Sequence, residues 1–171
     1  QEFVRRSPVL FVSTIDEAGN PDVSPKGDPA GFVELSPEGD LLIPERPGNR
    51  LTFGFTNILR NGRIGLLVLV PNQLETLRIK GKASLHRDPD VLARMQVSGK
   101  PALLYTRVRI EECFFHCGKA LVRSHLWEPQ AWGDERRSIA ARQFTQRKAP
   151  DEETVERTEA ALRHSYQHEL Y

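Results

Sequence analysis

Cysteine is nearly absent from this chain, with Cys113 and Cys117 the two examples among 171 residues. Two thiols cannot build the disulfide framework of a small secreted domain, so a reducing, cytoplasmic setting is expected. An excess of charge of one sign is also missing. Lys+Arg number 24 against 23 Asp+Glu, a net charge of +1, which gives no reason to expect nucleic acid or an acidic membrane surface as partner. No apolar run reaches bilayer-spanning length, the longest (Ile64 to Val70) being strand-sized, so no membrane partner is expected. No secretion signal, internal repeat or low-complexity stretch is read in the sequence.

The signatures of a protein-borne reaction centre are missing too. There is no nucleophile elbow, no Walker loop, no dinucleotide glycine fingerprint and no carboxylate pair suited to glycoside chemistry. Cys113, His116, Cys117 and His125 have a spacing that fits no standard zinc site, and no metal is expected. The plainer reading is a pair of buried small thiols and a histidine bonded to backbone.

What is present is an ordinary globular composition, 39% hydrophobic and 27% charged, in a length that suits one domain with a proper core. Val9 to Ile15 reads as a strand, Asp16 to Pro21 as a turn, and Asp22 to Lys26, Phe32 to Leu35 and Leu41 to Ile43 as further short strands. From Thr76 to His86, Leu77, Ile79, Gly81, Ala83 and Leu85 alternate with Arg78, Lys80, Lys82, Ser84 and His86, which predicts a strand with one core face. Small Gly81 and Ala83 would let another backbone or a flat ligand approach that face. Asp88 and Pro89 predict a short helix ending at Gly99, with Val91, Leu92 and Met95 on one side. Tyr105 to Phe115 is another strand, and the pattern turns helical from His116 to Arg123. Beyond Asp134 the chain is polar, with a terminal helix from Asp151 and a thin stripe of Val155, Leu162, Tyr166 and Leu170. The whole predicts a mainly β (α+β) fold, a six-stranded antiparallel barrel with short peripheral helices and a C-terminal helix.

The stretch from Leu41 to Val70 carries the strongest chemical signal. A strand ends at Pro44, a loop bears Arg46, Pro47, Gly48, Asn49 and Arg50, and a helix is predicted at once, with Leu51, Phe55, Ile58 and Leu59 as its apolar face. Free N–H groups and the positive dipole end of a helix favour an anion, and guanidinium groups match phosphate oxygens. Ser24 and Lys26 near one strand end, and Lys119 and Arg123 on the late helix, are further anion-binding candidates. Each taken singly reads equally as a solvated surface group. Together they suggest a phosphate-bearing cofactor that brings its own reactivity.

The segments VSPKGD (Val23 to Asp28), IPERPGNR (Ile43 to Arg50), TNILRNGRIGLLVLVP (Thr56 to Pro71), ETLRIKGKA (Glu75 to Ala83) and HCGKALVRSHLW (His116 to Trp127) are similar, in order, to the pyridoxamine 5'-phosphate oxidase-like, FMN-binding split-barrel flavoproteins. The sequence resembles most a bacterial branch of that family without an assigned substrate. The resemblance covers about residues 8 to 132. It implies a split barrel over residues 1–132, a helical extension over 133–171 packed on the same domain or the partner subunit, and a homodimer with FMN at the interface. By position it implies that Ser24, Pro25 and Lys26 run beside the flavin ring, and that Pro44, Asn49 and Arg50 grip the phosphate and ribityl chain. Thr76 falls near a contact on the following strand, while Lys119, Arg123, Ser124 and Trp127 match the portion offered by the second subunit. The arginine-and-histidine substrate motif of the true oxidases is not recognisable in the stretch HSYQHELY, so FMN binding is implied more directly than the oxidase reaction.

The expected function is an FMN-dependent oxidoreductase passing hydride through flavin N5 to or from a small molecule, with NAD(P)H as a candidate. Lys26 is a candidate for the positive charge near N1 and O2 of the ring. Three alternatives stay open: a flavin-binding carrier or sensor without turnover, a haem-binding module with His86 or His116 as ligand, and a deazaflavin-dependent reductase.

Overall fold

The computed structural model describes residues 1–48, 51–133, 139–145, 151–168 and 170, and of Phe144 only the backbone. The chain divides into two units, Gln1–Pro129 and Gln130–Tyr171.

The first unit opens with α1 (Glu2–Arg6), β1 (Val9–Ile15), β2 (Pro21–Gly27), β3 (Glu34–Leu35) and β4 (Leu41–Glu45). It continues with α2 (Phe53–Asn61), β5 (Arg63–Leu69), β6 (Thr76–His86), α3 (Pro89–Arg94), β7 (Leu104–His116) and α4 (Lys119–Arg123). The strands form one antiparallel sheet in the order β2-β1-β5-β6-β7-β4-β3. It is the curled half-barrel that the sequence predicts, with seven strands instead of six. The two-residue β3, paired with Leu41 and Leu42, falls within the strand predicted over Phe32 to Leu35 and brings the count to seven.

Alternation decides which face is core. Leu10 and Val12 of β1, Ile64, Leu66 and Val68 of β5, Leu77, Ile79 and Ala83 of β6, and Val108 of β7 turn inward into one apolar cluster with Val4, Val33, Leu41, Ile43 and Ile58. A second cluster, Leu42, Met95, Ala102 and Tyr105, lies under α3. The β6–β7 ladder slips by one residue between Lys80 and Gly81, where Glu111 is the bulged residue. A Cβ at position 81 would overlap the carbonyl group of Arg109. The small core face read from the sequence therefore admits a neighbouring backbone.

Three local expectations are corrected. Helix α2 starts at Phe53, and Leu51 and Leu59 are exposed. Its buried side is Asn57 and Ile58, because amides dock it: Asn57 Nδ2 donates to Thr14 Oγ1 at 3.0 Å and Asn61 Nδ2 to the carbonyl of Ile15 at 2.7 Å. Helix α3 has the predicted Asp88 cap, which accepts from the backbone N–H groups of Asp90 and Val91. It stops at Arg94, and Gly99, at φ +76°, instead serves the turn that pairs Val97 with Lys100.

In the second unit, α5 (Ile139–Thr145) and α6 (Glu152–His168) pack on each other. The half-buried stripe of α6 is Val155, Thr158, Leu162 and Ser165, whereas Tyr166 and Leu170 are exposed. No helix among the described residues is long and apolar enough to cross a membrane.

Two outcomes are expected from this framework. Gly81→Ala should lower stability by about 1–3 kcal/mol, because the bulge has to shift; an unchanged urea-unfolding midpoint would show that the close approach is not a constraint. Asp16 closes the β1–β2 turn by accepting from the Asn20 side-chain amide and backbone N–H, each at 2.8 Å, which holds its carboxyl below the ordinary range. A carboxyl held low in the folded state stabilises above its unfolded pKa and loses that contribution as pH falls through its folded value. Asp16→Ala should therefore melt earlier than the parent at neutral pH, with the gap fading once the pH drops below the carboxylate range.

Candidate functional site

Strand β2 lies at one end of the sheet order and β4 next to the other end, five strand spacings apart. In a flat sheet that would be about 24 Å. Yet Lys26 Nζ, on β2, donates to Glu45 Oε2, on β4, at 2.5 Å. Curling has brought the two edges together, and side chains join them. Beside this pair, Arg46 Nε donates to Asp28 Oδ2 at 2.7 Å, and its NH2 group donates to the carbonyl of Met95 at 2.6 Å.

The register explains which side chains of β2 enter the split. Ser24 and Lys26 pair with the inward-facing Val12 and Leu10, so they share the concave side. The result is a cleft of about 420 Å³ walled by Ser24, Pro25 and Lys26 on one side and Pro44, Glu45 and Arg46 on the other. Pro47, Gly48 and Leu51, with Phe53, Gly54 and Phe55 from the first turn of α2, complete it. The volume lies within the range of roughly 300–1,000 Å³ usual for small-molecule sites. Lys26 Nζ stands 5.2 Å from the Phe55 ring centroid. At the α2 cap position Thr52 makes no side-chain hydrogen bond, so the first-turn N–H groups lack a side-chain acceptor from that residue.

Five of the residues singled out in the sequence, Ser24, Pro25, Lys26, Pro44 and Arg46, thus line one cleft. Asn49 and Arg50 lie outside the described residues, although Gly48 and Leu51 on either side of them line the cleft. Thr76 lies elsewhere, in a concavity of about 740 Å³ with Phe11, Leu67, Arg78, His116, Ala120 and Leu121. Val23 lines both spaces, so they meet at the β2 edge. Lys119 and Arg123 are exposed on α4. Ser124 Oγ donates to the carbonyl of Leu121 at 3.1 Å, and Trp127 Nε1 donates to that of Gln73 at 2.8 Å, which ties the segment after α4 to the β5–β6 connection. A side chain at Gly118, just before α4, would overlap the carbonyl of Leu74.

The sequence did not single out Glu45, Asp28 or Thr106. Glu45 is 3% exposed, and its Oε1 accepts from Thr106 Oγ1 at 2.7 Å. The one available signal was a carboxylate closing an apolar strand, LLIPE. The thiols of Cys113 and Cys117 are exposed, not buried as expected, since the strand carrying Cys113 continues past the bulge to the outer end of the sheet. His125 Nδ1 lies 3.0 Å from a carboxylate oxygen of Glu128. No cluster of metal-binding type is found among the described residues.

A curled antiparallel sheet with a cleft at its split defines a split-barrel protein. The model of the family described as pyridoxamine 5'-phosphate oxidase matches residues 1–117, and the chain belongs to that family. Among solved structures the fold is similar to HupZ of Group A Streptococcus, with TM-score 0.53 at 18% identity over 67% of this chain and 88% of that one. It is also similar to General Stress Protein 26 of Bacillus anthracis, with TM-score 0.52 at 11% identity over 67% and 88%. An FMN-binding protein of Syntrophomonas wolfei gives TM-score 0.50 at 11% identity over 67% and 84%. At these identities the likeness is one of fold. No curated protein sequence matches the chain.

The seam makes an asymmetric prediction. Lys26→Met leaves the buried Glu45 carboxylate without its cation and should cost about 3 kcal/mol. Glu45→Ala should cost less, because the Lys26 ammonium, with a quarter of its side chain exposed, can turn to water. The double variant Lys26→Met/Glu45→Leu should recover much of the loss. Urea unfolding of the flavin-free full chain checks the order, and a Glu45→Ala variant less stable than Lys26→Met would contradict it.

Proposed function

We propose that the chain binds FMN in the β2/β4 cleft and is an FMN-dependent oxidoreductase acting on a small molecule. The observation that carries this reading is the convergence of Ser24, Pro25, Lys26 and Pro44 on one cleft that opens at the Arg46–Leu51 loop, in a chain of this family. FMN, when bound, supplies hydride transfer at its N5.

Among the described lining residues, Lys26 is matched by Glu45, Arg46 bonds Asp28, and Asp22 adds a carboxylate, so they supply no surplus positive charge. In this reading Asn49, Arg50 and the first turn of α2 receive the phosphate. Val23, Pro25, Leu51, Phe53 and Phe55 offer the apolar wall that a flat ring system needs. Lys26 is held at the floor of the cleft, where its charge can act on the pyrimidine end of the ring.

A homodimer with the cofactor at its interface belongs to the same reading. Phe11, Leu67 and Phe114 lie on the convex face, in register across β1, β5 and β7 with Arg78 between them on β6, and Phe11 and Phe114 are more than a third exposed. An apolar patch of that kind suits a second copy. Such a copy would bring Thr76, Lys119, Arg123, Ser124 and Trp127 towards the flavin from the other side. The 133–171 extension would pack on the barrel or on that copy.

Purified protein should be yellow, with flavin absorption bands, and heat should release FMN identifiable by mass spectrometry. Arg50→Ala should weaken FMN retention by about ten-fold or more, the order expected for losing a charged phosphate contact. Consumption of NADH or NADPH above that of free FMN, with an electron acceptor present, separates the oxidoreductase from a carrier. A colourless protein that does not take up added FMN would overturn the reading. A Soret band or a deazaflavin spectrum would replace it with one of the alternatives.

A further inference from the structure

Three cations stand abreast on the convex face of the sheet. The register sets Arg63 of β5 directly opposite Lys82 of β6, and Lys82 directly opposite Arg109 of β7. The three strands are neighbours, so the row spans about 10 Å. Like charges directly opposite across a ladder are destabilising, and carboxylates normally intervene. They do so for three nearby cations, Lys80 meeting Glu112 at 2.6 Å, Arg107 meeting Asp40 at 2.6 Å and Arg60 meeting Glu17 at 3.2 Å, while Arg78 lies over the Phe114 ring. Among the described residues, no ion pair engages Arg63, Lys82 or Arg109.

The row is flanked by concave space on both sides. Lys82 lines a concavity of about 540 Å³ with Ser13, Arg63, Lys80 and Glu111, and another of about 370 Å³ with Ser84, His86, Arg107 and Arg109. Each holds one acidic residue: Glu111 in the first, and Asp40 in the second, where Arg107 takes it. Along β6 beyond Lys82, Ser84 Oγ lies 2.7 Å from His86 Nε2, and the His86 ring stacks on Tyr105 at 5.4 Å and 17°.

The geometry points to an oligophosphate site. Arg63, Lys82 and Arg109 hold the phosphate groups of a di- or triphosphate laid across the three strands, with the Ser84 hydroxyl and the His86 ring beside them. Inorganic oligophosphates and the phosphate chains of nucleotides share this chemistry. An extended polyanion matches a row about 10 Å long, since successive phosphate groups can each meet one cation. The site is separate from the β2/β4 cleft, and it does not depend on what that cleft binds. It also lies four residues along β5 from Leu67 in the apolar patch, about 13 Å, which places it at the rim of that patch.

Calorimetric titration of the full-length protein, loaded with FMN, with inorganic tripolyphosphate at low ionic strength tests the proposal. Saturable binding of about one tripolyphosphate per chain is expected. Lys82→Gln/Arg109→Gln should weaken it by about ten-fold or more, while Lys80→Gln, at a residue already paired, should leave it within about two-fold. Arg63→Gln serves as a second variant should the double change disturb folding, and circular dichroism reports on that. ATP binding tighter than tripolyphosphate, with His86→Ala removing only the difference, identifies a nucleotide; equal affinities identify a bare oligophosphate. Unsaturable binding overturns the site. So does binding that survives both Lys82→Gln/Arg109→Gln and Arg63→Gln, or that disappears when the protein is saturated with FMN, since tripolyphosphate would then be occupying the flavin cleft. Tighter, length-dependent binding of duplex DNA would replace it with a nucleic-acid surface. Flavin uptake in these variants should match the parent.

Discussion

The contact between Lys26 and Glu45 holds the two margins of the sheet together. An antiparallel sheet of this length either closes its ladder or leaves two unpaired edges, and edges are a liability. Here the curl stops short of closure, and side chains do the joining: Lys26 to Glu45 and Arg46 to Asp28. Joining by side chains keeps a gap that backbone hydrogen bonds would have filled. The cleft is that gap. The bonds that hold the barrel line it, so stability and the proposed binding would share the same residues.

This sharing explains why the polar equipment of the cleft is internally matched. A buried carboxylate such as Glu45 is tolerated only with partners, and it has two, the ammonium of Lys26 and the hydroxyl of Thr106. The cost of placing charge at the split is offset locally, which leaves the described wall close to neutral towards an incoming anion. In the proposed reading, selectivity for a phosphate is assigned to Asn49, Arg50 and the helix end, not to the seam. A fixed framework with an attached recognition loop is the usual division of labour at sites of this kind.

Much of the framework was legible in the sequence because it rests on local rules. Period-two alternation in β6 needs no knowledge of the partner strand, and Asp88 followed by Pro89 marks a helix start wherever it occurs. Gathering Ser24 and Lys26 with Pro44 and Arg46 was legible as a list of candidates. That Lys26 reaches Glu45 and Arg46 reaches Asp28 was not, since both pairs depend on how far the sheet curls. The same limit applies to α2. Its helical period was read correctly as helix and Ile58 is buried as expected, but Leu51 and Leu59 are exposed, and two asparagines dock the helix because Thr14 and the Ile15 carbonyl offered them hydrogen bonds. The cysteines were expected inside on residue type alone, and the outer end of a long strand kept them at the surface. Position in the tertiary fold outweighed type in each case.

The two faces of the sheet divide its chemistry. On the concave side Lys26 and Arg46 are paired, and the cleft between the strands is the site proposed for the flavin. On the convex side one row, Arg63, Lys82 and Arg109, has no carboxylate of its own, although Lys80 and Arg107 on the same strands do. If folding alone had shaped that face, the paired arrangement would be expected along its whole length, because each opposed like-charge pair carries a cost. The cost falls on one row, in a bend of the sheet where the β6–β7 bulge tightens the local twist and concave space lies to either side. That uncompensated row at a shaped position is the observation on which the proposed oligophosphate site rests.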